Sequence, residues 1–253
     1  AMVPLAWPAN KQGRIVADRI NGIDSSYPGT LGTSIAKVFD LTASSTGHNE
    51  KALARMGKTN YKAIHIHPGS HAGYYPGAFP ISLKLIFEVP SGRILGAQAI
   101  GYDGVDKRID VIATAIKGNL TVRDITDLEL AYAPPYSSAK DPVNMAGYVA
   151  TNILDGLVDI VYYHEIDKLV ADGGILLDIR DAMETDMSEI EGSINIPLNE
   201  LRDRLGELPK DKEIYVTCQV GLRGYIATRI LTQNGYKAKN LDGGTKTYTD
   251  VYG

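Results

Sequence analysis

The chain has 253 residues, 44% of them hydrophobic, which is enough for two domains of ordinary size, each with its own core. Its 26 basic and 30 acidic residues give a formal charge of -4, so neither a nucleic-acid-binding surface nor a lipid-binding surface is expected. No apolar run approaches the roughly 20 residues of a membrane span, and the N-terminus lacks the features of a signal peptide. These features predict a soluble, cytoplasmic protein.

The first part of the chain predicts an α+β domain. Apolar spacing and glycine terminators predict helices over residues 10–21, 49–56, 106–117 and 141–154. Strands are expected over 33–47 and 61–67, and a Pro-Ser-Gly-Arg turn predicts a hairpin of strands 83–89 and 94–100. Residues 3–10 resemble the end of a strand, as if part of a longer polypeptide were missing. This order predicts an antiparallel sheet.

The pattern changes after a boundary between Gly156 and Ile160. Short apolar strands at 175–179, 214–217 and 238–241 alternate with helices at 198–205 and 225–234. Such alternation predicts a parallel sheet with helices on its faces, and therefore an α/β domain.

The chain has a single cysteine, Cys218, which excludes an internal disulfide framework. Residues 218–223 (CQVGLR) join the carboxyl end of a strand to the start of a helix, where open α/β sheets bind ligands. Inward-pointing N–H groups and the helix dipole would stabilise a thiolate, a persulfide or a sulfur–oxygen anion.

Within this loop the candidate catalytic residues are Cys218 as nucleophile and Arg223 as a fixed positive charge. The residues between them are candidate substrate-binding residues, with a glycine where the backbone must turn: Gln219, Val220, Gly221 and Leu222. The alternatives are that the cysteine is a small buried hydrophobe and the arginine a solvated residue at a helix start.

The loop and three further segments resemble rhodanese domains. The segments are residues 177–181 (LDIRD), 191–198 (EGSINIPL) and 241–244 (LDGG). Related phosphatases and arsenate reductases have a loop one residue longer and usually a histidine before the cysteine, whereas Thr217 precedes Cys218 here. The resemblance covers residues 160–253 and implies that Cys218 carries sulfane sulfur as a persulfide.

The preceding residues resemble the C-terminal part of flavin-dependent pyridine nucleotide-disulfide reductases, in the branch of coenzyme A disulfide reductase and NADH-dependent persulfide reductases. The matching segments begin at residues 4–14 and continue through 29–34 (GTLGTS), 71–78 (HAGYYPGA), 104–108 (GVDKR) and 132–144 (YAPPYSSAKDPVN). The resemblance implies the end of a flavin-binding domain over residues 1–23 and a dimerisation domain over 24–156. It also implies a homodimeric parent protein that uses FAD and NAD(P)H to reduce coenzyme A disulfide, persulfide or polysulfide.

Two sets of site residues follow only from this second resemblance. Tyr74 and Tyr132 would be phenols that approach the coenzyme A disulfide from the neighbouring protomer and assist the departing thiolate. Residues near the N-terminus would lie against the flavin: Pro4, Leu5 and Ala6. From the residues alone, a tyrosine beside Pro-Gly or Ala-Pro-Pro is more often loop packing.

The histidines and the missing motifs limit what this chain is expected to do alone. His65, His67 and His71 suggest a metal by their spacing, but without carboxylates or thiolates nearby we expect no metal site. No Gly-x-Gly-x-x-Gly follows a strand, and the family's redox cysteine belongs to an N-terminal flavin domain. Complete FAD and NAD(P)H sites are therefore not expected in these residues.

The sequence thus predicts the dimerisation and rhodanese portions of a flavin-dependent coenzyme A disulfide or persulfide reductase. Its partners would be a second copy of the chain and coenzyme A or small sulfur compounds. Three alternatives stay open: a stand-alone sulfurtransferase, a non-catalytic rhodanese-like binding module, and a relative of the phosphatases and arsenate reductases.

Overall fold

A computed structural model describes residues 3–187 and 189–253. The chain divides into two compact units. One comprises the chain up to Lys62 together with Gly69–Asn144, and the other comprises Ala63–Pro68 and Met145–Gly253. None of the helices in the described residues combines the length and apolar content needed to cross a bilayer.

The first sheet has five strands in the order β1-β2-β5-β4-β3. The strands are β1 (Ser34–Val38), β2 (Leu41–Gly47), β3 (Tyr61–Ile66), β4 (Ile81–Glu88) and β5 (Ile94–Gly101). The predicted hairpin forms the centre of this sheet, since β4 and β5 pair antiparallel with Leu83 opposite Ala99. The prediction of an antiparallel sheet is confirmed.

The α-helices that flank these strands in sequence are α1 (Ala6–Ile20), α2 (Glu50–Arg55) and α3 (Val105–Lys117). The last of these carries a buried apolar stripe that includes Ile109 and Ile112, as its spacing predicted. Asn49 caps α2, because its side-chain oxygen accepts the N–H of Ala52 at 2.8 Å.

Two predictions near the N-terminus are wrong. Residues 33–47 form a hairpin rather than one long strand, because the chain reverses after β1 with Phe39 at a positive φ of 52°. Apolar side chains stand on both sides of this turn, so the sequence pattern of apolar residues did not indicate it. Helix α1 begins at Ala6 instead of residue 10, since a proline such as Pro8 is tolerated in a first helical turn, where the N–H groups lack helical acceptors.

The second sheet is parallel, as predicted, with the strand order β6-β10-β9-β7-β8. Its strands are β6 (Ile160–Val161), β7 (Ile175–Asp178), β8 (Ser193–Asn195), β9 (Glu213–Thr217) and β10 (Lys237–Leu241). The helices of this region are α4 (Pro142–Leu154), α5 (Tyr163–Ala171), α6 (Ala182–Thr185), α7 (Leu222–Gln233) and α8 (Gly244–Tyr252).

Successive residues of the central strands enter separate apolar clusters. Leu177 and Val216 pack in one cluster with Ala227 and Leu231 of α7. Leu176 and Tyr215 pack in another, which includes Ile166 of α5. The period of two in a strand explains this division, because alternate side chains point to opposite faces of the sheet.

The helix predicted over 198–205 is wrong, because this segment forms turns followed by a short 3-10 helix at Leu205–Glu207. Helix α7 begins at Leu222, earlier than predicted, so Leu222 and Arg223 lie in its first turn. The sequence pattern also missed β6, α5, α6, β8 and α8, most of which are too short to show a period.

Candidate functional site

The side chain of Cys218 lies at the carboxyl end of β9 and is 1% exposed. Its Sγ accepts the backbone N–H of Gly221 at 3.1 Å and that of Gly224 at 3.2 Å. Both donors lie at the start of α7, where N–H groups have no helical acceptor. Two such donors stabilise a sulfur anion more than a neutral thiol, and the helix dipole acts in the same direction.

Glycines allow the closing turn after β10 to approach this loop. Gly244 has a φ of +65°, and a Cβ added there would lie 2.9 Å from the backbone nitrogens of both Val220 and Gly221. Only a residue without a side chain fits in this position. The LDGG segment therefore has a physical role, which is to support the cysteine loop from beneath.

Helix α8 then anchors the loop by its first N–H groups. Thr245 N–H donates to the carbonyl of Cys218 at 2.8 Å, and Lys246 N–H donates to that of Gln219 at 3.0 Å. Asn240 adds a third contact, since its Nδ2 donates to the Gly221 carbonyl at 3.1 Å. With its carbonyls held outward, the loop presents N–H groups to the sulfur.

Arg223 does not offer a free positive charge to the loop. Its two terminal nitrogens donate to both carboxylate oxygens of Glu184, at 2.7 and 2.6 Å. This fork-shaped contact lowers the pKa of Glu184 to about 2, against the opposing effect of burial, and raises the pKa of Arg223. The guanidinium and the carboxylate neutralise each other.

Arg180 is a second arginine beside the loop, and its place at the site was not predicted from the sequence. It is buried and pairs with buried Asp178, with Nη2 2.6 Å from Oδ2. Its Nη1 also donates to Oε1 of Gln219 at 3.3 Å.

A signal for these residues was present in the sequence. The LDIRD segment contains both Asp178 and Arg180. Glu184 follows Asp181 at the spacing of a helix capping box, and its side chain accepts the Asp181 N–H at 3.1 Å. The sequence could not show that Glu184 also binds Arg223, a residue 39 positions away.

The predicted substrate-binding residues differ in their exposure. Leu222 is 66% exposed and Val220 is 36% exposed, so the outer edge of the loop has an apolar character. Gln219 is exposed as well, and Gly221 is half-buried with a φ of +98°. Their role in binding substrate stays a prediction.

In the first unit, Tyr74 and Tyr132 come together although 58 residues separate them in sequence. Their hydroxyl oxygens are 3.0 Å apart, and the side chains are 77% and 47% exposed, respectively. The hydrogen bond to Tyr74 raises the pKa of Tyr132. Tyr132 therefore presents a neutral phenol to solvent at neutral pH.

A buried ion pair holds the two loops that carry these tyrosines. Arg108 Nη2 donates to Asp141 Oδ2 at 3.0 Å, to the Ser137 hydroxyl at 3.2 Å and to the Ser70 carbonyl at 2.8 Å. Burial by itself would raise the pKa of Asp141, but hydrogen bonds from Val143 N–H and Ser137 and the charge of Arg108 lower it. Asp141 is thus a buried carboxylate that needs its arginine.

The residues predicted to contact flavin line an open cleft of the first unit. The cleft has a volume of about 1280 Å³, and Pro4, Leu5 and Ala6 lie along it. Leu5 and Ala6 form the N-cap and first residue of α1. Flavin contact by these residues is not tested by this geometry and stays a prediction.

The three histidines have separate surroundings. His65 Nδ1 lies 2.6 Å from Asp242 Oδ2, and His67 Nε2 lies 2.7 Å from the Thr247 hydroxyl. Burial, with a smaller contribution from Lys246, lowers the pKa of His67 to about 4. His71 Nδ1 lies 3.1 Å from a backbone carbonyl. Across residues 3–187 and 189–253, no group of three or more His, Cys, Asp or Glu side chains is arranged to hold a metal.

Two family models match the chain. Residues 33–142 match the pyridine nucleotide-disulphide oxidoreductase dimerisation domain, and residues 163–250 match the rhodanese-like domain. The chain therefore combines these two kinds of domain, with its single cysteine buried in the rhodanese-like domain.

Named relatives agree with this combination. A coenzyme A disulfide reductase of Staphylococcus aureus is 45% identical over 151 residues, which are 59% of this chain and 34% of that protein. The structure of reduced Bacillus anthracis CoADR-RHD is 63% identical with a TM-score of 0.95, over 98% of this chain and 44% of that one. The NAD-dependent persulfide reductase from A. fulgidus is 43% identical with a TM-score of 0.88, over 98% of this chain and 44% of that one.

The match covers 98% of this chain in the two solved structures and 59% of it in the Staphylococcus aureus protein. The chain spans about a third of the length of the curated relatives and 44% of the two solved chains. The predicted family resemblance is confirmed in both domains.

Proposed function

We propose that Cys218 carries sulfane sulfur as a persulfide, within the dimerisation and rhodanese portions of a reductase for coenzyme A disulfide or persulfide. The parent enzyme would be a homodimer that uses FAD and NAD(P)H. The predicted domain limits of 24–156 and 160–253 belong to this proposal.

One observation carries the persulfide assignment. The Sγ of Cys218 accepts two backbone N–H groups, from Gly221 and Gly224, at a helix start. A thiolate held in this way is a stable nucleophile, and the same donors can serve the anionic outer sulfur once a persulfide has formed. The burial of Cys218 excludes water, which strengthens these hydrogen bonds.

The proposed transfer requires no external oxidant. The Cys218 thiolate attacks the outer sulfur of a donor R–S–S⁻, the donor sulfur–sulfur bond breaks, and R–S⁻ leaves with the electron pair. The product is Cys–S–S⁻ on the protein. An acceptor thiolate such as that of coenzyme A then attacks the outer sulfur and restores the Cys218 thiolate.

Tyr74 and Tyr132 are proposed to act at the coenzyme A disulfide site of the parent enzyme. The raised pKa of Tyr132 keeps this phenol protonated, so it can donate a hydrogen bond to a departing thiolate. Their exposure agrees with a role completed by groups from outside this unit.

The cofactors belong to the parent protein in this proposal. No Gly-x-Gly-x-x-Gly is present in the sequence, so these residues do not form a complete dinucleotide cradle for FAD or NAD(P)H. Pro4, Leu5 and Ala6 are proposed to lie at one edge of the flavin site.

Intact-mass spectrometry of the purified chain after exposure to polysulfide or a low-molecular-weight persulfide tests the proposal. We expect a gain of one sulfur atom that disappears on treatment with coenzyme A. Cys218→Ser should not gain sulfur, whereas Thr185→Ser, a change at a half-buried hydroxyl residue outside the loop, should behave as the unsubstituted chain does. If the unsubstituted chain stays unmodified with every donor, a non-catalytic binding module becomes the better interpretation. Turnover of an aryl phosphate would instead favour a phosphatase relative.

A further inference from the structure

Two arginines beside the cysteine loop are each paired with a carboxylate. Arg180 is bound by Asp178, and Arg223 is bound through both terminal nitrogens by Glu184. The loop therefore attracts anions through its N–H groups and the dipole of α7, with no surplus positive charge from these four side chains.

This balance matters because sulfur donors differ in charge. Thiosulfate carries two negative charges and its transfer releases a sulfite dianion: Cys–S⁻ and S–SO₃²⁻ become Cys–S–S⁻ and SO₃²⁻. A persulfide donor R–S–S⁻ carries one negative charge at its reacting group and releases R–S⁻. An additional cation would help the thiosulfate reaction more than the persulfide reaction.

The exposed rim of the loop also favours persulfides of organic thiols over thiosulfate. Val220 and Leu222 are exposed beside the cysteine, and their apolar side chains suit a donor with an organic body. Thiosulfate has no apolar part that could use this surface.

We propose that Glu184 is a specificity-determining residue, which neutralises Arg223 and thereby selects persulfides of organic thiols over the thiosulfate dianion as donors. The inference rests on the proposed sulfur-carrier function of Cys218. Glu184 itself takes no part in the transfer and acts through Arg223, so it is a positioning residue.

The test compares rates of Cys218 loading by thiosulfate and by glutathione persulfide in single-turnover experiments followed by mass spectrometry. Glu184→Gln keeps the size of the side chain but removes its charge. We expect the ratio of the thiosulfate rate constant to the persulfide rate constant to rise about tenfold. The rise should shrink as salt is added, because screening weakens the freed charge of Arg223.

Three further variants separate this effect from general changes. Glu207→Gln is a matched control, since Glu207 also binds an arginine, Arg204, through both oxygens at 2.8 Å, and its loss changes the net charge equally. It should leave the donor ratio unchanged. Glu184→Asp, which keeps the charge, should retain the donor ratio of the unsubstituted chain. In Glu184→Gln combined with Arg223→Gln, the gain for thiosulfate should disappear.

The outcomes distinguish this inference from the proposed function. If the unsubstituted chain is loaded but Glu184→Gln leaves the donor ratio unchanged, or Glu207→Gln raises it equally, the inference about Glu184 is wrong and the carrier function stands. If the unsubstituted chain is loaded by neither donor, the proposed function fails and the inference fails with it.

Discussion

The two candidate sites of this chain are built from different parts of the polypeptide. Around Cys218 the contacts to the sulfur come from the main chain, through the N–H groups of Gly221 and Gly224. At Tyr74 and Tyr132 the functional groups are side chains exposed on the surface, which contact each other through their hydroxyls.

This difference determines what each site can do by itself. In the proposed transfer, the buried thiol of Cys218 has its own hydrogen-bond donors and needs only a sulfur donor. Two phenols exposed to solvent can donate or accept hydrogen bonds but cannot supply electrons for a reduction, so their chemistry needs further groups. We therefore expect sulfur loading of Cys218 in this chain, and reduction of a coenzyme A disulfide only together with the FAD and NAD(P)H sites of the proposed parent enzyme.

The largest effect expected on stability comes from Arg108→Met. This change tests whether the loops that carry Tyr74 and Tyr132 depend on the buried pair of Arg108 and Asp141. This change leaves the Asp141 carboxylate buried without its arginine, and we expect a loss of about 3–5 kcal/mol in the free energy of unfolding. Urea denaturation followed by circular dichroism measures it.

Arg93→Met is the control, because Arg93 pairs with Glu88 at the surface and its loss should cost less than about 1 kcal/mol. Equal effects of the two changes would mean that the loops with Tyr74 and Tyr132 do not depend on the buried pair.

A smaller effect is expected from Gly244→Ala, which tests the main-chain construction of the cysteine site. The added Cβ would lie 2.9 Å from two loop nitrogens, at a φ of +65°. We expect a loss of about 2–3 kcal/mol and slower sulfur loading, since the loop backbone must shift, including the Cys218 carbonyl oxygen, which would lie 2.2 Å from the added Cβ. Thermal unfolding and mass spectrometry measure the two effects.

Gly206→Ala provides the comparison, because no atom lies within 4 Å of a Cβ added there and its φ is outside the left-handed range. It should change stability by no more than about 0.5 kcal/mol. If Gly244→Ala also leaves loading and stability intact, the close approach of the closing turn is not needed for the loop.

The smallest effect is expected from Tyr74→Phe. Stability should change by less than about 0.5 kcal/mol, because the side chain is exposed. The pKa of Tyr132 should fall, since the hydrogen bond to Tyr74 is what raises it. A titration followed by NMR of carbon-labelled tyrosine detects this, and Tyr136→Phe, an exposed tyrosine in the same loop, should leave that pKa unchanged. No change in Tyr74→Phe would show that the two hydroxyls do not interact in solution.

Much of the fold was predictable because its main elements are long enough to show a period. The spacing of apolar residues indicated α3 and the β4–β5 hairpin, and the change of pattern after residue 156 indicated the parallel sheet. The errors lie in segments that lack such a pattern. The turn at Phe39 carries no glycine or proline, and α6 has only four residues.

The sequence by itself determined the position of the proposed nucleophile, because a single cysteine stands between an apolar strand and a helix. The resemblance to rhodanese domains also singled out residues 241–244, which contain Gly243 and Gly244. These features are local, so neighbouring residues suffice to reveal them.

Only the tertiary structure decided how the charges are distributed around Cys218. Arg223 is bound by Glu184, which lies 39 residues earlier, and Arg180 reaches Gln219 across the same separation. Residue types show that opposite charges are present, but the pairing depends on which side chains the folded backbone places within hydrogen-bonding distance.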